Sequence, residues 1–201
     1  MKPSFDDLAL PRADSGEALA LLEFASIAQG YAAADRAVKA AAVTLLLCRP
    51  ASPGKLLVLF CGAPSAVVSS LRAAQEGLAE PPLDTLLLPQ AEPRLLRALA
   101  GARAPRAGEA AAVVECATVA TLLLAADAAL KTAAIELQAL HAANGLGGKA
   151  FCVMSGAVAQ VEVALAAAVA FARERGQLLG SVLLAQPHDD VAAWFAGGAA
   201  R

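Results

Sequence analysis

LLEFASIAQGYAAADRAVKAAAVTLLL, residues 21–47, decides the fold, because the chain repeats its pattern as VVECATVATLLLAADAALKTAAIEL at residues 113–137. Glu23 and Glu115, Asp35 and Asp127, and Lys39 and Lys131 all stand 92 positions apart. Gly54, Lys55 and Gly62 match Gly148, Lys149 and Gly156 at 94, and Gln90 matches Gln186 at 96. Loops absorb such length changes and strands and helices do not, so the first extra residues belong in the loop before the glycines. A duplication of this length makes the chain two copies of one domain.

The repeat sets the organisation: a tail at 1–16, a first domain at 17–100, a linker at 101–109 and a second domain at 110–201. AGARAPRAG, residues 100–108, carries the Pro/Gly and small residues of an exposed connection. Within each copy the order reads strand, helix, strand, strand, helix, strand. Ala18–Glu23 is a buried strand, after which Ile27, Tyr31, Ala34 and Val38 recur at helical spacing. Val119, Leu123, Ala126 and Leu130 repeat that spacing. Val43–Cys48 and Leu56–Cys61 are β-prone runs around RPASPG, whose Pro and Gly predict a turn. Their counterparts are Ile135–His141 and Lys149–Ser155. Val67 and Leu71, like Val161, Leu165 and Val169, mark a second helix, with Pro64 tolerated at its start. Thr85–Leu88 and Ser181–Leu184 supply the fourth strands. The fold class is therefore α/β (α+β), two tandem ferredoxin-like βαββαβ units.

The composition is 58% hydrophobic and 17% charged, against about 25% charged in ordinary globular domains. Apolar surface must be covered by something. Leu56–Leu71 is the longest uncharged run, but Gly62-Ala63-Pro64 interrupts it and it falls short of a membrane span. Met1–Gly16 carries Asp6, Asp7, Arg12 and Asp14 without an apolar core, unlike a signal peptide. Self-association remains. A net charge of −2 and the lack of a basic stripe argue against nucleic acid. Cys48, Cys61, Cys116 and Cys152 have no CxxC spacing and read as buried free thiols of a reducing compartment.

Catalytic patterns are absent from the sequence. Neither His141 nor His188 has a partner at triad or metal-ligand spacing. GLGGK, residues 145–149, is not a phosphate loop, since Ala143 and Ala150 stand where Gly and Ser/Thr are needed.

Taken together, residues 21–47, SPGKLLVLFCG (52–62), residues 113–137, GLGGKAFCVMSG (145–156) and Pro187-His188 resemble the tandem-domain bacterial microcompartment shell proteins (BMC-T), most of all the non-permuted propanediol-utilisation type. The resemblance spans about residues 17–195. It implies a homotrimer imitating a hexagonal tile (a pseudohexamer) within the shell of a cytoplasmic microcompartment, alongside hexamers and pentamers. It implies no catalytic activity. The loops Pro50–Gly54 and Asn144–Gly148 would converge on a central pore for small metabolites, lined by Ser52, Pro53, Gly54, Gly145, Leu146 and Gly147.

Lys55 and Lys149 would stand just behind the pore, either biasing it positive or simply solvated. His141 precedes the second loop, and both a channel-mouth and a packed position stand open. Lys39 and Lys131 match the family's tile-edge lysine, beside Gln90, Gln186 and His188; each also suits an i,i+4 Asp/Lys pair. Relatives often carry Arg where Gln186 stands. Relatives that hold an iron–sulfur cluster at the pore have Cys where this chain has Ser52, and a hydroxyl is a poor cluster ligand. The expectation is no cofactor. A redox tile and an effector-binding ferredoxin-like signalling trimer are the alternatives.

Overall fold

The computed structural model describes residues 18–99, 108–143 and 145–195; the expected tail and most of the expected linker lie outside them. The first copy runs β1 (Ala18–Phe24), α1 (Ile27–Ala40), β2 (Thr44–Ala51), β3 (Lys55–Gly62), α2 (Pro64–Gln75), β4 (Asp84–Leu88) and α3 (Pro93–Leu99). The second runs β5 (Ala110–Cys116), α4 (Val119–Thr132), β6 (Glu136–Ala142), β7 (Ala150–Gly156), α5 (Val158–Glu174), β8 (Leu178–Ala185) and α6 (Asp189–Phe195). Each copy forms a four-stranded antiparallel sheet, ordered β2-β3-β1-β4 and β6-β7-β5-β8.

The spacing of the repeat survives into register. Ala18 faces Gly62 as Ala110 faces Gly156, and Leu19 faces Leu88 as Ala111 faces Leu184. Even the irregularity repeats, since the edge pairing slips between Leu45 and Leu47 and again between Leu137 and Ala139. Ser26 and Thr118 cap α1 and α4 by accepting the N–H of Gln29 and Thr121, the usual work of a hydroxyl at that position.

Two expectations are corrected. RPASPG is not all turn: β2 continues through Pro50 to Ala51, which an edge strand tolerates because one row of its amides is unpaired. The stripe of Ile27, Tyr31 and Val38 is not the core face of α1. Gly30, Ala33, Ala34 and Ala37 are buried instead, and a Cβ on Gly30 would come within 2.5 Å of Leu56. Close approach of helix to sheet demands small residues, so the large ones face outward.

β1 alternates between two cores. Ala18, Ala20, Leu22 and Phe24 pack under α1 and α2, whereas Leu19 and Leu21 join a cluster continuous with Val119, Leu122 and Leu123 of α4. One apolar core therefore crosses from the first copy into the second, which explains why β1 is buried on both faces.

Candidate functional site at the hairpin tips and the interdomain seam

Pairing of Ala51 with Lys55 leaves Ser52, Pro53 and Gly54 as the exposed tip of the first hairpin, closed by the Gly54 N–H on the Ala51 carbonyl at 2.9 Å. The second hairpin pairs Ala142 with Ala150, so the two inserted residues fall between them; Asn144, expected at the start of this loop, lies outside the described residues. Gly145, Gly147 and Gly148 take φ of 72°, 60° and 91°, conformations that cost a side chain energy. The tips touch. A Cβ on Gly148 would lie 2.9 Å from Cδ of Pro53.

Lys55 holds this corner from below. Its Nζ donates to Oε2 of Glu23 at 2.5 Å and to the Gly148 carbonyl at 2.9 Å, and both side chains are buried. The other oxygen of Glu23 accepts the Ala120 N–H at 2.7 Å, in the first turn of α4, where the helix end attracts negative charge. Burial pushes the Glu23 carboxyl above its ordinary range, and the facing Lys55 ammonium opposes that without reversing it. Lys149 pairs with Glu115 at 2.8 Å, with both side chains part-exposed.

A positive bias of the corner is thus corrected. Each lysine meets its own carboxylate, and Lys55 is buried where solvation was the other reading.

His141 lies on β6 and stacks on Phe151 with centroids 4.5 Å apart. Together with Val113, Val153, Val191 and Trp194 it lines a groove of about 450 Å³ under α6, so it is a packed imidazole. Among the described residues Lys39 makes only the exposed pair with Asp35, at 2.6 Å. Lys131 pairs with Asp127 at 2.6 Å and also donates to the Gln90 carbonyl at 2.6 Å. Gln186 donates its N–H to Glu109, and exposed His188 accepts the Asp190 N–H on Nδ1.

Sequence reasoning missed the rest of the seam. Asp84 accepts from the hydroxyls of Thr118 and Thr121 and from the Arg175 guanidinium. Burial pushes its carboxyl up, but these donors, with the Thr85 N–H, outweigh that and hold it below the ordinary value. Arg94 donates to the carbonyls of Leu130 and Ile135, and the Glu92 N–H donates to Asp127. The signal available was departure from the repeat: Asp84 corresponds to Gly180 and Arg94 to Asp190.

The donors at the corner do not fit an iron–sulfur cluster. Ser52 offers a hydroxyl, and the four cysteines sit on β2, β3, β5 and β7 rather than at the tips. Burial pushes the Cys116 and Cys152 thiols up to about 12, far from thiolate. Among the described residues there is no cluster of His, Cys, Asp and Glu able to hold a metal ion, and no helix is long and apolar enough to cross a membrane.

The BMC domain model matches residues 18–90 and again 110–187. The chain belongs to the BMC-domain family. It is 33% identical over 175 residues to the bacterial microcompartment shell protein PduT of Citrobacter freundii, covering 87% of this chain and 95% of that protein. A microcompartment protein of Desulfitobacterium hafniense DCB superposes with a TM-score of 0.78 at 40% identity, over 87% of this chain and 97% of that one. A fused permuted hexameric shell protein of the RMM microcompartment, 20% identical with a TM-score of 0.61 over 86% and 92% of the two chains, shares the fold.

Proposed function

We propose that this chain is a structural tile of a bacterial microcompartment shell, closing as a homotrimer around a pore for small metabolites and doing no chemistry of its own. Its family and its shell-protein relatives support the role. The observation that carries the pore is the meeting of the two hairpin tips, Ser52–Gly54 and Gly145–Gly148, at one corner of the chain. Three such corners about an axis place six tips around one opening. Ser52, Pro53, Gly54, Gly145 and Gly147 are exposed at that corner and Leu146 is half-buried. Passage is then governed by diameter and by hydroxyl and amide hydrogen bonds. Lys55 and Lys149 brace the loops through their carboxylates and supply little net charge.

The exposed Lys39 and Lys131, with Gln90, Gln186 and His188 beside them, form the rim that meets other tiles, hexamers and pentamers among them. Long lysine stems lie flat while their ammonium groups find carbonyls. Sedimentation of the wild type should give a trimer, and electron microscopy of cells overproducing it with its shell partners should show sheets or shells. Replacing Lys39 and Lys131 together by alanine should impair the sheets. A monomer at every concentration would refute the tile.

A further inference from the structure

The repeat makes an internal control for the groove under α6. Its floor and wall correspond, position for position, to the outer face of the first sheet and to α3. That first face is closed. Leu21, Leu57, Leu59, Leu95 and Leu99 are 0% exposed and belong to one core, and Arg49, paired with Leu57, buries its Nε.

The second copy opens the same place by substitution. Leu21, Leu59 and Leu95 become Val113, Val153 and Val191, each a methylene shorter. Leu57, Ala98 and Leu99 become Phe151, Trp194 and Phe195, so rings border the space that the shorter side chains leave. Trp194 stands 64% exposed at its edge. A groove of about 450 Å³ results, within the size range of small-molecule sites.

The charge changes with the shape. Arg49, Arg94 and Arg97 surround the first face, and the second copy has His141, Asp190 and Ala193 in their places. Among the described residues lining the groove there is one carboxylate, Asp190, and no Lys or Arg. His188 Nδ1 lies 3.5 Å from that carboxylate and accepts the Asp190 N–H, and an accepting nitrogen brings no positive charge. Asp190 and Trp194 are four residues apart on α6, neighbours on one helix face.

We propose that the groove under α6 binds a small organic cation, an ammonium carrying methyl or short alkyl groups. The faces of Trp and Phe rings attract such a cation through their quadrupole, the valines take up its alkyl groups, and Asp190 balances its charge at the mouth. A neutral guest of the same shape gains only the apolar floor, and an anion is repelled. The site belongs to the second copy alone and goes beyond the tile reading, on which it does not rest.

Trp194 is the single tryptophan of the chain, so its fluorescence reports the site. Titrating the full chain with tetramethylammonium chloride should give a saturable change with a dissociation constant of about 1 mM, the strength of two or three ring contacts with a cation. tert-Butanol, of nearly the same shape but neutral, should bind about tenfold more weakly. Sodium chloride at matched ionic strength should leave the signal unchanged. Asp190→Asn should weaken tetramethylammonium about threefold, as an exposed charge pair does, and Asp190→Arg, which restores the charge of the first copy, should weaken it further. Trp194→Leu keeps the wall apolar and removes the ring; saturation-transfer NMR on the methyl protons should then show binding about tenfold weaker. Both positions are exposed, and circular dichroism checks that each variant folds. Equal affinity for tert-butanol, or an Asp190→Arg variant that binds like the wild type, overturns the cation and leaves a plain apolar hollow. The absence of a saturable response, an equal response to sodium chloride, or unchanged binding by Trp194→Leu removes the site.

Discussion

Glu23–Lys55 and Glu115–Lys149 are the same two residues in the two copies, and they live in different surroundings. In the first copy the pair is buried, with Gly148 lying over the lysine and the start of α4 against the carboxylate. In the second it is part-exposed, because no described element lies over it as Gly148 lies over Lys55. Identical chemistry thus carries two different weights. An ion pair in water is nearly neutral to stability, whereas breaking a buried one strands a charge.

The sharpest way to break that contrast is to delete each lysine. Lys55→Met should cost about 3–5 kcal/mol in urea unfolding of dilute protein, since it leaves Glu23 and the Gly148 carbonyl without their donor. Lys149→Met should cost less than about 1 kcal/mol under the same conditions. Equal costs would mean that the second domain does not cover the first. If subunits close into the proposed trimer, with the hairpin tips meeting about its axis, the Lys149→Met deficit should grow with protein concentration while that of Lys55→Met does not.

The carboxylates of the seam separate by pH. Asp84 is held below its ordinary value of 3.8, so its contribution is present in full above that value and is lost as pH falls through its lower folded pKa. Glu23 is raised above 4.5, so the folded state binds its proton more tightly than the unfolded chain. Stability from Glu23 therefore declines as pH rises from 4.5 through the raised value. Asp84→Asn should cost about 1.5–3 kcal/mol at pH 7, the range for hydrogen bonds to a charged group, and should flatten the loss of stability below pH 4. A variant whose acid limb matches the wild type would place that limb on other carboxylates.

The repeat made much of this legible. The 92, 94 and 96 spacings located the four strands and the first two helices of each copy, though not the short terminal helices α3 and α6, and the two extra residues fell in the second hairpin tip as loops require. Periodicity was less informative about direction. Ile27, Tyr31 and Val38 form a sound helical stripe, but a stripe does not report which way it faces, and this chain's own sheet leaves it exposed. The Asp84 cluster was illegible for another reason: Arg175 lies 91 residues away in sequence, and no local pattern reports so distant a partner. Lys55 looked solvated because its cover, Gly148, belongs to the other copy.

The smallest contrast lies at the rim. Among the described residues Lys39 touches Asp35 alone, both well exposed, an i,i+4 pair worth about 0.2–0.5 kcal/mol. Lys131 also holds the Gln90 carbonyl, and its partner Asp127 is buried and occupied by the Glu92 N–H. Lys131→Ala should therefore cost about 1 kcal/mol, a charged hydrogen bond discounted for partial exposure, against a few tenths of a kcal/mol for Lys39→Ala. Thermal unfolding at low protein concentration resolves the two. Raising the salt should erase most of the Lys39 effect, because exposed pairs are screened, and should spare much of the Lys131 effect, whose carboxylate lies out of water. Matching salt dependence in both variants would show that Asp127 is as wet as Asp35, and with it that the Gln90 contact opens in solution.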